Sequence, residues 1–215
     1  MAEELKGVYI KPIVRQEMDN YVDGYGNKRD WKAYNKTLPV TKFVSQPNPF
    51  QESLTFRALV TSEEPRDPRN SIGAVRNVRR RDGTVRPAVS RPSPKRFIQY
   101  LVTIRFNGIK FSDEEKGTAP LKWEVAGATK FSRVPTVENN TVMLKCQCRD
   151  FMFTFERPLA LNGGLWPNNR WTRYERLTPK GSGYPERNPK EKMGYCKHIA
   201  TMLNYLWNEG MVRNR

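Results

Sequence analysis

Three cysteines and one histidine are the residues of this chain best suited to metal chemistry, and they fall in two closely spaced pairs. Cys146 and Cys148 flank one glutamine, and Cys196 and His198 flank one lysine. Three thiolates and one imidazole complete a tetrahedral zinc ligand set, and a set without an open position is typical of a structural site. The sequence therefore predicts one structural Zn²⁺ ion at these four residues. Two alternatives remain open: an iron–sulfur cluster on the same ligands, and buried thiols without a metal.

The elements around the two pairs are predicted to bring them together. The first pair ends an apolar segment, Thr141–Cys148, that is typical of a strand, and residues two apart on a strand face the same side. The second pair begins a predicted helix from about Tyr195 to Asn208, whose positive N-terminal end favours the thiolate of Cys196. Gly210 is expected to end this helix. One face of the helix should be buried, because apolar residues recur there at helical spacing: Ile199, Met202, Leu203 and Leu206.

The two pairs give the pattern C-x-C followed by C-x-H, which resembles the SWIM zinc domain. The segments CQCRDFMFTF, ERNPKEKMGYCKHI and ATMLNYLW are similar to a group of bacteriophage proteins that read Cys-x-Cys-x-Asp-Phe, then a Pro/Gly-rich insert, then Cys-Lys-His. The resemblance covers roughly residues 97–210, and the insert is longer than in typical SWIM domains. It implies a ββα arrangement around the metal, binding to DNA or proteins, and a role as a virion component.

The middle of the chain is predicted to form an antiparallel sheet. FIQYLVTIRF (Phe97–Phe106) is rich in β-branched and aromatic residues, and Asn107-Gly108 predicts a hairpin turn with IKFSD as the returning strand. LKWEVAG (Leu121–Gly127) predicts another strand, and FMFTF (Phe151–Phe155) predicts extended structure. The expected fold class is α+β, with a small antiparallel sheet, a C-terminal helix stapled to it by zinc, and long irregular arms and loops.

Composition divides the chain into three predicted regions. Residues 1–61 are expected to form an extended arm or short strands, and residues 97–215 the SWIM-like domain with a long irregular insert at 156–193. Between them, residues 62–96 are predicted to be a flexible basic arm, because they contain five prolines and few large apolar residues. Such an arm is expected either to order on an acidic partner or to serve only as a linker.

Positive charge is the strongest feature of the composition. The chain has 38 Lys and Arg against 22 Asp and Glu, a formal net charge of +16, which favours an anionic partner. The candidate contacts are arginines in the arm and in the insert: Arg79, Arg80, Arg81, Arg170 and Arg173. The insert also carries Trp166, Trp171 and Tyr174, which either stack on nucleic-acid bases or pack over the sheet. Packing is the favoured prediction for Trp171 and Tyr174, and both roles remain open for Trp166.

The same features indicate a non-enzymatic protein. The single histidine is assigned to the metal, and neither a P-loop nor a G-x-G-x-x-G segment is present, so no catalytic residue is assigned. The chain lacks an apolar run of membrane-spanning length and a signal-peptide pattern, so a membrane partner is not expected. Because no catalytic residue is assigned, a small-molecule substrate is not expected either. With the resemblance, this predicts a structural protein of a phage virion that is assembled in the bacterial cytoplasm and contacts other protein subunits. The tail or baseplate is the favoured location, with the neck and head as alternatives. The alternative is a cytoplasmic, zinc-dependent nucleic-acid-binding accessory protein.

Overall fold

The structure is a computed structural model that describes residues 7–8, 38–65, 75–79, 85–89, 94–115, 120–168, 170, 188 and 191–213. The chain divides into two units: unit 1 consists of Met1–Val60 and Tyr100–Arg215, and unit 2 consists of Thr61–Gln99. The strands within the described residues are β1 (Val40–Asn48), β2 (Ser53–Pro65), β3 (Val75–Arg79), β4 (Val85–Val89), β5 (Lys95–Asn107), β6 (Phe111–Ser112), β7 (Leu121–Val125), β8 (Ala128–Ser132) and β9 (Val142–Cys146). The α-helices there are α1 (Arg149–Thr154), α2 (Glu156–Leu161) and α3 (Lys197–Asn208).

A four-stranded sheet with the order β1-β2-β5-β9 carries the core of unit 1. The pairs β1–β2 and β5–β9 are antiparallel, and Val102 on β5 lies opposite Cys146 on β9. Alternate residues of three strands are fully buried, as the period of a strand requires. They are Leu54, Phe56, Ala58 and Val60 on β2, Val102, Ile104 and Phe106 on β5, and Val142, Leu144 and Cys146 on β9. The predicted α+β class is confirmed.

Helix α3 lies across this sheet and contacts both edge strands, β9 and β1. Near its C-terminal end, the ring of Tyr205 lies 5.3 Å from that of Phe43 on β1. The helix prediction is confirmed to within two residues at its start, and the predicted apolar face is buried. Gly210 follows the helix with a φ of 68°, the left-handed conformation that favours glycine after a helix end. No helix in the described part of the chain is long and apolar enough to cross a membrane.

The outer side of β9 is bordered by two short segments. Val8 pairs with Val142 through N–H···O bonds of 2.9 and 2.8 Å, and Leu165 forms a bridge with Leu144. Gly164 precedes Leu165 and lies against the other segment, because an added Cβ would lie 2.7 Å from a methyl carbon of Val8. The close approach of the two segments to β9 therefore requires glycine at this position.

The hairpin predicted at Asn107-Gly108 is wrong. Strand β5 already has β2 and β9 as its two neighbours, so IKFSD cannot return along it. The Asn107 N–H donates to the Thr141 carbonyl (2.9 Å), and the Ile109 N–H donates to the Glu52 carbonyl (2.7 Å). The chain instead enters a second sheet of order β6-β8-β7, in which β7 matches the strand predicted at LKWEVAG.

Two short helices replace predicted extended and irregular structure. FMFTF lies in and just after α1, and α2 begins the segment 156–193 that was expected to be irregular. The Phe151 N–H donates to Sγ of Cys148, which caps the first turn of α1 (3.3 Å). Phe151, Phe155 and Leu159 are buried at a spacing of four residues, so one continuous apolar face overrides the strand preference of the individual side chains.

The segments predicted as arms also contain strands. β1 and β2, from the N-terminal region, form one sheet with β5 and β9. Within residues 62–96, β3 and β4 pair in antiparallel register from Val75 opposite Val89 to Arg79 opposite Val85. The β-branched valines of both segments favour this pairing over the irregular structure expected from proline content alone. Arg80 and Arg81 of that arm lie outside the described residues.

Candidate metal centre

The four predicted metal ligands lie together in the interior of unit 1. The Sγ atoms of Cys146, Cys148 and Cys196 and a ring nitrogen of His198 all lie within 4.8 Å of one another. None of the four residues exposes more than 2% of its surface. The cluster could hold a metal ion whose coordination shell is supplied by the protein alone.

Three elements place these side chains. Cys146 is the last residue of β9, and Cys148 precedes the first residue of α1. The link between them is fixed to β5, because the Gln147 N–H donates to the Leu101 carbonyl (3.2 Å) while the Gln147 side-chain oxygen accepts from the Leu101 N–H (3.4 Å). The backbone N–H of Cys148 also donates a hydrogen bond to Sγ of Cys146 (3.4 Å).

The second pair is positioned by the start of α3. Cys196 is the N-cap residue and His198 lies in the first turn. The Cys196 carbonyl accepts from the Ala200 N–H (3.1 Å), which begins the helical hydrogen-bond ladder. The positive end of the helix dipole favours negative charge at this point. The sequence pattern C-x-H therefore presents two donors on the sheet side of the helix, facing the end of β9.

In the absence of a metal, the pKa values of the three thiols are shifted in different directions. Burial raises the pKa of both Cys146 and Cys196, so these thiols keep their protons at neutral pH. Hydrogen bonds from those two thiols lower the pKa of Cys148, with a smaller contribution from His198. Without a metal, negative charge is therefore favoured on Cys148 over Cys146 and Cys196, and a metal ion that binds all three sulfurs must displace thiol protons.

His198 directs its Nδ1 atom towards the sulfurs. Nδ1 lies 3.9 Å from Sγ of Cys146, and the ring of Tyr100 packs 4.6 Å from the imidazole centroid. Nε2 is buried and has no hydrogen-bond partner among the described residues. The donor set thus fits a metal bound through Nδ1, with Tyr100 holding the ring in place. Tyr100 was missed from the sequence, although it lies two residues before Val102, which faces Cys146.

Two polar residues that sequence reasoning also missed support the surrounding elements. Glu156, 1% exposed, forms an ion pair with Lys145, the residue before Cys146. Asn188 is buried where the long insert returns, and its amide donates to the carbonyls of Thr154 and Lys192 at 2.8 Å each. Asn188 therefore ties the segment that leads to Cys196 onto the end of α1. No local sequence pattern distinguishes either residue from the many other polar residues of the chain.

Of the candidate anion-binding arginines, the structure describes Arg79 and Arg170, and neither belongs to the metal cluster. Arg170 is exposed in the insert, and Arg79 ends β3 in unit 2. Arg80, Arg81, Arg173, Trp171 and Tyr174 lie outside the described residues. Trp166 packs against the guanidinium of Arg105, 4.9 Å from its ring, which favours the packing role over base stacking for this residue.

Comparison of the chain with protein-family models, curated proteins and solved structures gives no match. The resemblance to SWIM domains and to phage proteins therefore remains a prediction from the motif. What the structure adds is the convergence of the two separated pairs at one buried point.

Proposed function

We propose that this protein is a non-enzymatic assembly protein whose core is held together by one structural zinc ion. The observation that carries the proposal is the buried cluster of three sulfurs and one imidazole. Soft thiolate and imidazole donors in a set of four suit Zn²⁺, which takes tetrahedral sites of this composition. With all four positions filled by side chains, neither water nor substrate has a place on the metal, which favours a structural role over a catalytic one.

A separate cavity gives no support for catalysis. Its volume is about 600 Å³, and it lies beside the sheet of β6, β7 and β8. Its charged lining residues are Lys110, Glu114 and Arg133. The buried side-chain amide of Asn140 already donates to the carbonyls of Asn107 (2.9 Å) and Gly108 (3.3 Å), so it is not available to bind a ligand. Among the described lining residues, neither a cysteine nor a histidine is present to form the nucleophile and base pair that is common in covalent catalysis.

The turn between β1 and β2 supports a role in protein–protein contacts. Phe50 is 97% exposed, yet the turn that carries it is fixed. The Asn48 side chain accepts from the Gln51 N–H (3.1 Å), the Glu52 carbonyl accepts from Ile109, and the Gln51 side chain accepts from Arg105 (3.0 Å). A preordered, exposed aromatic ring is the kind of anchor that fills a pocket on a partner at small entropic cost. We propose that the partners are other subunits of a large assembly, with a phage tail or baseplate as the favoured setting.

The zinc proposal predicts a specific pH dependence. Purified protein should carry about one zinc ion per chain at neutral pH. Because the pKa values of Cys146 and Cys196 are raised and that of Cys148 is lowered, binding should release about two thiol protons, so the apparent affinity should fall about 100-fold per pH unit between roughly pH 8 and pH 6. Competition with a chelator at several pH values measures this slope. Absence of zinc on elemental analysis, or iron with acid-labile sulfide, contradicts the metal assignment.

The assembly proposal predicts that Phe50→Ala impairs incorporation into the particle. Loss of a central aromatic anchor costs about 2 kcal/mol or more, so incorporation should fall by roughly tenfold or more. Quantitative mass spectrometry of particles purified from phage-producing cells measures the copy number relative to the wild type. Leu161→Ala is the matched control, since Leu161 is an exposed apolar residue of α2 and alanine suits a helix. Equal incorporation of the Phe50 variant and the control, or absence of the wild-type chain from the particles, contradicts the proposal.

A further inference from the structure

Arginine is concentrated in unit 2 far beyond the rest of the chain. Its 39 residues, Thr61–Gln99, contain nine Arg and one Lys, whereas the remainder contains 13 Arg and 15 Lys. Four acidic residues leave the unit with a net charge of +6. Simple solubility needs positive charge of either kind, while a preference for guanidinium indicates bidentate contacts with planar or tetrahedral oxyanions. Unit 2 therefore has the composition of a recognition surface rather than that of a solvated linker.

The backbone of unit 2 gives these arginines a fixed spacing. In the β3–β4 ladder, Arg76 lies opposite Ala88 and Arg86 opposite Val78, so the alternation of a strand places both arginines on one face of the ribbon. Arg79, opposite Val85, lies on the other face. Two antiparallel strands make a ribbon of the width that the major groove of a duplex admits. Strand β5 enters the same unit with Arg96 exposed and with Phe97, the only aromatic residue of unit 2, 78% exposed. The exposed carboxylate of Glu63 pairs with Lys95 at 3.0 Å.

We infer that unit 2 is a nucleic-acid-binding surface in which one face of the β3–β4 ribbon contacts the phosphate backbone through Arg76 and Arg86. Nucleic acid is favoured over an acidic protein because protein interfaces are centred on buried aromatic and large apolar anchors. Unit 2 offers a single aromatic residue against nine arginines. The inference depends on neither the metal ion nor the Phe50 contact, so it can be tested independently of the proposed function.

The test is fluorescence polarisation of full-length, metal-loaded protein with labelled DNA of roughly 20 base pairs or 20 nucleotides, between about 50 and 200 mM salt. The variant with Arg76→Gln and Arg86→Gln is expected to bind at least tenfold more weakly. For the duplex, its plot of log affinity against log salt should lose about two units of slope, since each phosphate contact contributes about one. If the protein binds the duplex more tightly than the single strand, the ribbon is assigned to a groove of the duplex. If it binds the single strand more tightly and Phe97→Ala abolishes that preference, the surface is assigned to binding of stacked bases.

Two controls decide whether the effect belongs to this surface. Lys110→Gln and Arg133→Gln remove the same charge from exposed positions of unit 1 and should leave affinity within about twofold. Replacing Arg76 and Arg86 by lysine keeps the charge and should restore most of the salt slope, which separates loss of contact from a disturbed ladder. The inference is overturned by equal losses in the two glutamine variants, by wild-type affinity in the ribbon variant, or by polyglutamate binding as tight as DNA binding.

Discussion

Cys196→Ser and His198→Ala are each expected to release α3 from the sheet. The cluster joins the start of this helix to the end of β9, and structural zinc contributes directly to the free energy of folding. Loss of one ligand should therefore cost about 4 kcal/mol or more, equivalent to roughly a thousandfold faster amide exchange in α3 and β9. Hydrogen exchange of Lys197–Asn208 and Val142–Cys146 measures the change residue by residue.

Chelation and a surface variant complete that experiment. Removal of metal from the wild-type protein should reproduce the exchange pattern of both ligand variants, because all three treatments disrupt one site. Asn204→Ala, at an exposed position of α3, should leave exchange unchanged or slightly slower, since alanine is the better helix former. If the ligand variants keep wild-type protection, or if chelation has no effect while Cys196→Ser destabilises the core, the residues are core thiols and not metal ligands.

Phe56→Ala is expected to destabilise unit 1 by about 3–5 kcal/mol, the usual cost of removing a buried phenylalanine. The Phe56 side chain is fully buried, and its ring contacts those of Phe43 (5.9 Å) and Phe106 (6.0 Å). Because these contacts connect β1 and β2 to β5, the variant should also retain zinc less well during denaturation. Urea unfolding monitored together with zinc release measures both quantities.

Phe50→Ala is the matched control for this substitution. It removes the same side chain from the same part of the chain, but Phe50 is almost fully exposed, so stability should change by no more than about 0.5 kcal/mol. Equal stability of the two variants would show that β1 and β2 are dispensable for the metal-binding unit.

Local patterns were enough to predict the elements that carry three of the four metal ligands. The ligand pairs, α3 and the strand that contains Cys146 each follow from spacing or periodicity within about a dozen residues. The predicted strand extended to Cys148, which instead caps α1. The place where the two ligand pairs meet could not be predicted from local patterns. It depends on β9 pairing with β5, some forty positions earlier, and on Tyr100 packing against His198. The chemistry of the four side chains supplied this long-range prediction, because four soft ligands are stable as one set.

The errors arose where a local preference met a competing distant contact. Asn107-Gly108 has the composition of a hairpin turn, but the Asn107 N–H is committed to Thr141 and both sides of β5 are occupied. FMFTF has strand-forming residues, yet the Cys148 sulfur caps a helix there and buries Phe151. In both cases the deciding partner lies outside the window from which propensity is read.

The segments along β9 also bear on how the protein behaves at high concentration. An unpaired strand edge is a template on which another chain can add, and it is a starting point for fibrils. Val8 and Leu165 occupy this edge of β9, and Gly7 and Gly164 permit their approach, since a Cβ on Gly7 would lie 2.8 Å from the Thr141 hydroxyl oxygen. The strand that ends in the metal ligands is thereby shielded from uncontrolled polymerisation, even when many copies are crowded together.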